Sequence, residues 1–87
     1  MGNKQLKKTL FDARQKKNLT HQQVASLSTL LLEDKEKSVT RQYYGMIENG
    51  DRVPSPKVAQ AIAQVLEIKW TIFFEYNSNQ KLQKQAI

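Results

Sequence analysis

Between Val39 and Gly50 the chain reads Val-Thr-Arg-Gln-Tyr-Tyr-Gly-Met-Ile-Glu-Asn-Gly. At 3.6 residues per turn, such a stretch has two chemically different sides. Thr40, Ile47 and Glu48 share a side with Tyr44, while Gln42, Gly45, Met46 and Asn49 gather opposite. The first side suits a protein core and the second suits a groove. Thr40 is a good N-cap, and Asn49-Gly50 tolerates the positive φ at which a helix stops. Glycine inside a helix costs roughly 1 kcal/mol against alanine, so its use at position 45 makes sense if another surface must approach closely. A DNA major groove is such a surface.

That helix needs others to hold it. The spacing predicts a first helix from about Lys4 to Lys17, with Leu6, Leu10 and Ala13 along one stripe and Asn18 as its stop. Leu19 precedes Thr20-His-Gln-Gln23, an expected capping box with a hydrophobic staple. The second helix buries Val24 and Ala25, with Leu27 a further candidate, and Ser28 stands on the same stripe where a larger apolar side chain would pack better. Leu30, Leu31 and Leu32 can extend that stripe before the charged stretch Glu33-Asp-Lys-Glu-Lys37, expected to be a solvated loop. Ser55-Pro56 places proline at the first position of a fourth helix, whose buried side is Val58, Ala61, Ile62, Val65 and Leu66. Ile68 leads into a short aromatic helix from Trp70 to about Tyr76. Residues 77–87 form a polar tail too poor in apolar side chains for a core. With no strand or hairpin pattern, the expectation is one all-α domain over residues 4–76.

Composition narrows the function classes. The 87 residues carry 14 Lys and Arg against 8 Asp and Glu, for a net charge of +6. Within the first twenty, Lys4, Lys7, Lys8, Arg14, Lys16 and Lys17 face Asp12 alone, which fits a polyanionic partner or a solvated basic helix. Cysteine is absent, so neither a disulfide frame nor a thiolate metal site is expected. The apolar runs Leu30–Leu32 and Ile72–Phe74 fall far short of the ~20 residues that span a bilayer, and no apolar segment follows the basic start as a secretory signal requires. A soluble, cytoplasmic protein is expected. His21 is the lone histidine, and there is no phosphate-cradling glycine loop and no carboxylate pair outside the charged loop. Neither an enzyme, nor a metal, a cofactor or a small-molecule ligand is expected.

Several pieces arrive in a fixed order: Arg14 with Leu19-Thr20, then Val24-Ala25, then Thr40, then Ile47-Glu48-Asn49-Gly50. Arg52-Val-Pro-Ser-Pro56, Ala61-Ile-Ala63 with Leu66, and Trp70-Thr-Ile-Phe-Phe-Glu75 follow. Over about residues 4 to 76 this order resembles the Cro and phage-repressor type of helix-turn-helix domain, the XRE family, particularly small regulators of phages and mobile elements. The resemblance implies a five-helix, lambda-repressor-like domain that binds double-stranded DNA as a homodimer, helix three lying in the major groove. It matches Arg41, Gln42 and Met46 to base-reading positions. Thr40, Tyr43 and His21 match positions beside the phosphate backbone, and Asn49 and Gly50 match a loop whose N–H groups meet phosphate. The side-chain chemistry agrees independently: Gln pairs with adenine, Arg with guanine, and Met contacts a thymine methyl. A small repressor in the bacterial nucleoid, acting on an inverted-repeat operator, is the implied function. The alternative is a protein-binding module on the same fold, an antitoxin or phage antagonist.

This chain departs from the family in one place. The step from Ala25 to Thr40 is fifteen residues, against about six in the family pattern, and the usual turn glycine is missing. An enlarged connection between helices two and three is therefore expected, its angle set by packing. Residues 29–38 are left with DNA, a partner protein, or neither as their contact.

The remaining assignments are structural. The family pattern pairs Arg14 with Glu48 in a buried ion pair. Tyr44 and Ile47 belong to the core. Arg41 suits a phosphate nearly as well as a base, and His21 suits solvent as well as phosphate. Trp70, Phe73, Phe74 and Tyr76 close the core first, but four aromatics in seven residues cannot all point inward from one short helix, so a dimer contact is expected among them, with Phe11 beside it.

Overall fold

Side-chain oxygens start three of the helices by taking up backbone N–H groups that the first turn leaves without a helical partner. At Thr20 the capping box is complete: Thr20 Oγ1 accepts from Gln23 N at 3.1 Å, and Gln23 Oε1 accepts from Thr20 N at 2.9 Å. Thr40 Oγ1 accepts from Tyr43 N at 3.0 Å, and Ser55 caps the helix that has Pro56 in its first turn. The computed structural model describes residues 4–33 and 38–75. The elements are α1 (Lys4–Lys16), α2 (His21–Leu31), α3 (Arg41–Asn49) and α4 (Pro56–Leu66), with a fifth, one-turn helix at residues 72–75. No strand occurs among the described residues. Tyr76, the tail and residues 34–37 of the charged stretch lie outside them.

Three residues with left-handed backbones follow helix ends: Asn18 (φ 58°), Gly50 (φ 88°) and Glu67 (φ 59°). The first two are residue types that accept this conformation. Glu67 was not anticipated as a stop. Its carboxylate forms an ion pair with Lys17, joining the ends of α1 and α4.

The core forms around α2, which packs against α3 and α4, while α1 closes over α3 and α4. Leu6 and Leu10, Val24 and Ala25, Tyr44 and Ile47, and Ile62 and Leu66 meet there, and Phe73 seals the end. Leu27 departs from expectation. The buried line of α2 is Val24, Ala25 and Ser28, and Leu27 lies on its flank, 41% exposed. Leu30 and Leu31 share that flank, Leu30 being 78% exposed. Leu32 ends the helix in an extended conformation and turns its side chain onto the core. The apolar stripe therefore leaves the interior one turn earlier than its composition suggests.

A clip that the sequence did not reveal sets the return of the enlarged connection. Thr29 Oγ1 accepts from Val39 N at 2.8 Å and lies 2.9 Å from Ala25 O, to which its hydroxyl can donate. Val39 is buried beside it. Threonine within a helix commonly donates back to the carbonyl four residues earlier; here the same hydroxyl also fixes where α3 begins.

Candidate nucleic-acid interface

The buried side of α3 holds a four-residue polar network. Glu48 Oε1 accepts from Arg14 Nε at 2.9 Å and from the Tyr44 hydroxyl at 2.9 Å. Glu48 Oε2 accepts from Arg14 Nη2 at 3.1 Å and lies 3.3 Å from His21 Nε2. Arg14 also donates from Nη1 to the Leu19 carbonyl at 3.0 Å. Glu48 and Arg14 are only 6% and 9% exposed, so this two-point pair forms where water screens little. Burial pushes the Glu48 carboxyl upward, but hydrogen bonds from Arg14, Tyr44 and His21, with the guanidinium charge, outweigh it and hold the group below its ordinary value. The Tyr44 hydroxyl is raised, first by burial and then by the Glu48 charge. The hydrogen bond to Glu48 raises Arg14. The network ties α1 and the start of α2 to the last turn of α3, and so fixes which way the opposite side of α3 looks.

His21 joins the network from its part-exposed edge. Its ring leans inward onto Glu48 and stands edge-on to Tyr44, the centroids 5.6 Å apart. The spacing of Tyr44 and Glu48 at i, i+4 hinted at their hydrogen bond; nothing in the sequence pointed to His21 joining them.

On the remaining surface of α3 and its cap, Thr40, Arg41, Gln42 and Asn49 are exposed, and Gly45 and Met46 are half-buried. Of the three residues matched to base reading, Arg41 and Gln42 are thus exposed and Met46 is half-buried. Thr40 uses its oxygen as an acceptor in the cap, leaving the hydroxyl proton able to donate outward. Tyr43 is half-buried at the edge of this surface and rests on the core. Asn49 Nδ2 donates to Asp51 Oδ2 at 3.2 Å.

Gly50 serves the turn: its N–H donates back to Ile47 O at 3.1 Å, and the N–H of Asp51 donates to Met46 O at 2.8 Å. The Gly50 N–H is thus engaged within the turn. Gly45 shows no such internal duty. A Cβ there would stand 4.0 Å from His21 Nδ1, an ordinary contact, so the fold itself does not require glycine.

The aromatic end divides. Phe73 is wholly covered by its own chain and has no side-chain surface for a second subunit. Trp70 is exposed and Phe74 half-buried, their rings edge-to-face with centroids 5.7 Å apart. Phe11 is also exposed, with the Arg14 guanidinium carbon 5.4 Å from its ring centroid. Tyr76 lies outside the described residues.

An all-helical domain of this plan, with one helix anchored by a buried ion pair and its polar side open, is that of a helix-turn-helix protein. Residues 34–73 match the helix-turn-helix family model; the match begins inside the enlarged connection and runs through α3 and α4. A protein of Bacillus subtilis (strain 168) described as the uncharacterized HTH-type transcriptional regulator YqaF is 40% identical over 70 residues, covering 80% of this chain and 80% of that one. The chain belongs to the XRE-type helix-turn-helix family, whose fold is the lambda-repressor-like all-α domain. No solved structure matches it. No helix among the described residues is long and apolar enough to cross a membrane.

Proposed function

We propose that this chain is a sequence-specific DNA-binding transcriptional regulator that acts in the bacterial cytoplasm. It binds an inverted-repeat operator as a homodimer, lays α3 in the major groove, and represses by occupying the promoter. The observation that carries this reading is the division of α3. Tyr44, Ile47 and Glu48 are locked inward, while Arg41 and Gln42 stand in solvent and Met46, one turn on from Gln42, is half-buried. Arg41 and Gln42 have the geometry to read guanine and adenine edges, and Met46 can touch a thymine methyl. Thr40, Tyr43 and Asn49 at the margin of the same surface suit phosphate, and contacts of that kind orient the domain without reading sequence. The net charge of +6 favours approach to a polyanion. For the homodimer, the support is the exposed Trp70 with the half-buried Phe74 packed edge-on to it, and the exposed Phe11 of α1.

Selection of bound duplexes from a random DNA pool tests the reading. An enriched motif with two half-sites is expected, and Gln42→Ala should weaken binding to that motif while leaving affinity for a scrambled duplex unchanged. Equal loss on both removes Gln42 from base reading, and no enrichment at low salt removes the DNA reading.

A second reading, a protein-binding module on the same fold, is favoured by one observation: Leu27, Leu30 and Leu31 stand exposed together at the end of α2, next to the enlarged connection. It gains if no duplex is retained.

A further inference from the structure

We propose that Arg52, in the segment after α3, and Tyr43, in the first turn of α3, form a phosphate clamp, Arg52 making the contact and the Tyr43 ring positioning it. The inference rests on the DNA-binding reading above. The Arg52 guanidinium carbon lies 5.9 Å from the Tyr43 ring centroid, inside the ~6 Å reach of a cation–π contact. Its backbone N–H donates to Met46 O at 3.3 Å, which folds the segment after Gly50 back against the end of the helix. Tyr43 is half-buried against the core and so offers a fixed platform. Arg52 itself is exposed, and among the described residues no ion pair engages it. The neighbouring Asp51 carboxylate is turned to Asn49.

A guanidinium held by its face keeps its rim of N–H donors available. That planar fork matches a phosphate at two points, which an ammonium cannot do. Holding the fork in place before binding also lowers the ordering cost of the contact.

The test uses the full chain, the duplex recovered by selection, and a scrambled duplex of equal length, with dissociation constants measured from about 50 to about 200 mM salt. Arg52→Gln is expected to weaken both duplexes by the same factor and to flatten the log–log salt slope by about one. Across that range the variant then loses roughly 3.5-fold less affinity than the wild type. Arg52→Lys is expected to keep the slope yet bind more weakly, because it keeps the charge and loses the stacked fork. Tyr43→Phe should preserve the effect of Arg52→Gln and Tyr43→Leu should shrink it, with circular dichroism confirming that each variant folds. If Tyr43→Leu does not fold, the Arg52→Lys comparison decides the role of the ring. An unchanged slope in Arg52→Gln, with wild-type binding intact, overturns the clamp. Wild-type affinity in Arg52→Lys overturns the ring's part in it. Failure of the wild type to bind either duplex at low salt overturns the DNA reading and the clamp together.

Discussion

Glu48→Ala should remove most of the stability of the domain. The carboxylate accepts two hydrogen bonds from Arg14 and one from the Tyr44 hydroxyl, and both partners are buried. Removing one member of a buried ion pair costs about 3–5 kcal/mol, because the other charge is stranded away from water. Leaving a buried hydroxyl without its acceptor adds about 1–3 kcal/mol, although the two losses overlap within one network and do not simply add. A total of about 4–6 kcal/mol is the working figure. Domains of this size have about 4–13 kcal/mol in all. Each kcal/mol moves Tm by about 4–8 °C, so a fall of more than about 15 °C is expected. Urea titration followed by far-UV circular dichroism measures the change, read from the midpoint at constant slope. The reasoning also predicts rescue: Arg14→Met with Glu48→Leu, and Tyr44→Phe to remove the orphaned hydroxyl, should recover most of the loss, since well-packed apolar groups often replace a buried pair without penalty. A Glu48→Ala loss below about 1 kcal/mol would refute the account, because that is the range of pairs that water reaches freely.

Other perturbations address the same helix and its support. The depressed Glu48 carboxyl contributes stability that is present above its ordinary value of 4.5 and is lost as pH falls through the lower folded value. The raised Tyr44 hydroxyl contributes stability that is present below its ordinary value of 10.0 and is lost as pH rises beyond it. Urea midpoints measured across pH should therefore fall at both ends, and a Glu48→Gln variant that keeps the wild-type acid limb would count against the first half. Gly45→Ala should raise stability by about 1 kcal/mol from helix propensity, since the added methyl meets only an ordinary contact at His21. The same substitution should weaken DNA binding, and unaltered affinity would show that nothing approaches that point closely. Ser28 is fully buried and its Oγ has no hydrogen-bond partner among the described residues, so Ser28→Ala should raise the melting temperature, by about 1 kcal/mol of stability. A lower melting temperature would mean that a partner for the hydroxyl had been lost.

What the sequence by itself determined about this protein was local. Thr20, Thr40 and Ser55 mark helix starts because capping needs only a side-chain oxygen within three residues of a free N–H. Asn18 and Gly50 mark stops because few other residues accept a left-handed backbone. Tyr44, Ile47 and Glu48 could be assigned inward from helical period alone. The Arg14–Glu48 pair, 34 residues apart, was legible through family resemblance and not through spacing.

Tertiary structure decided whatever depends on two segments meeting. Periodicity cannot say where a neighbouring helix stops covering a stripe, so Leu27 and Leu30 read as core candidates and stand in solvent. The Thr29 clip joins residues ten apart across a connection of no regular pattern. His21 turned inward because the Glu48 carboxylate, 27 residues further on, lies within reach of its ring. Glu67 took a left-handed backbone beside Lys17, a partner at the end of another helix. Contacts of these kinds are properties of position in space, and a chain's local chemistry carries them only after packing has brought the partners together.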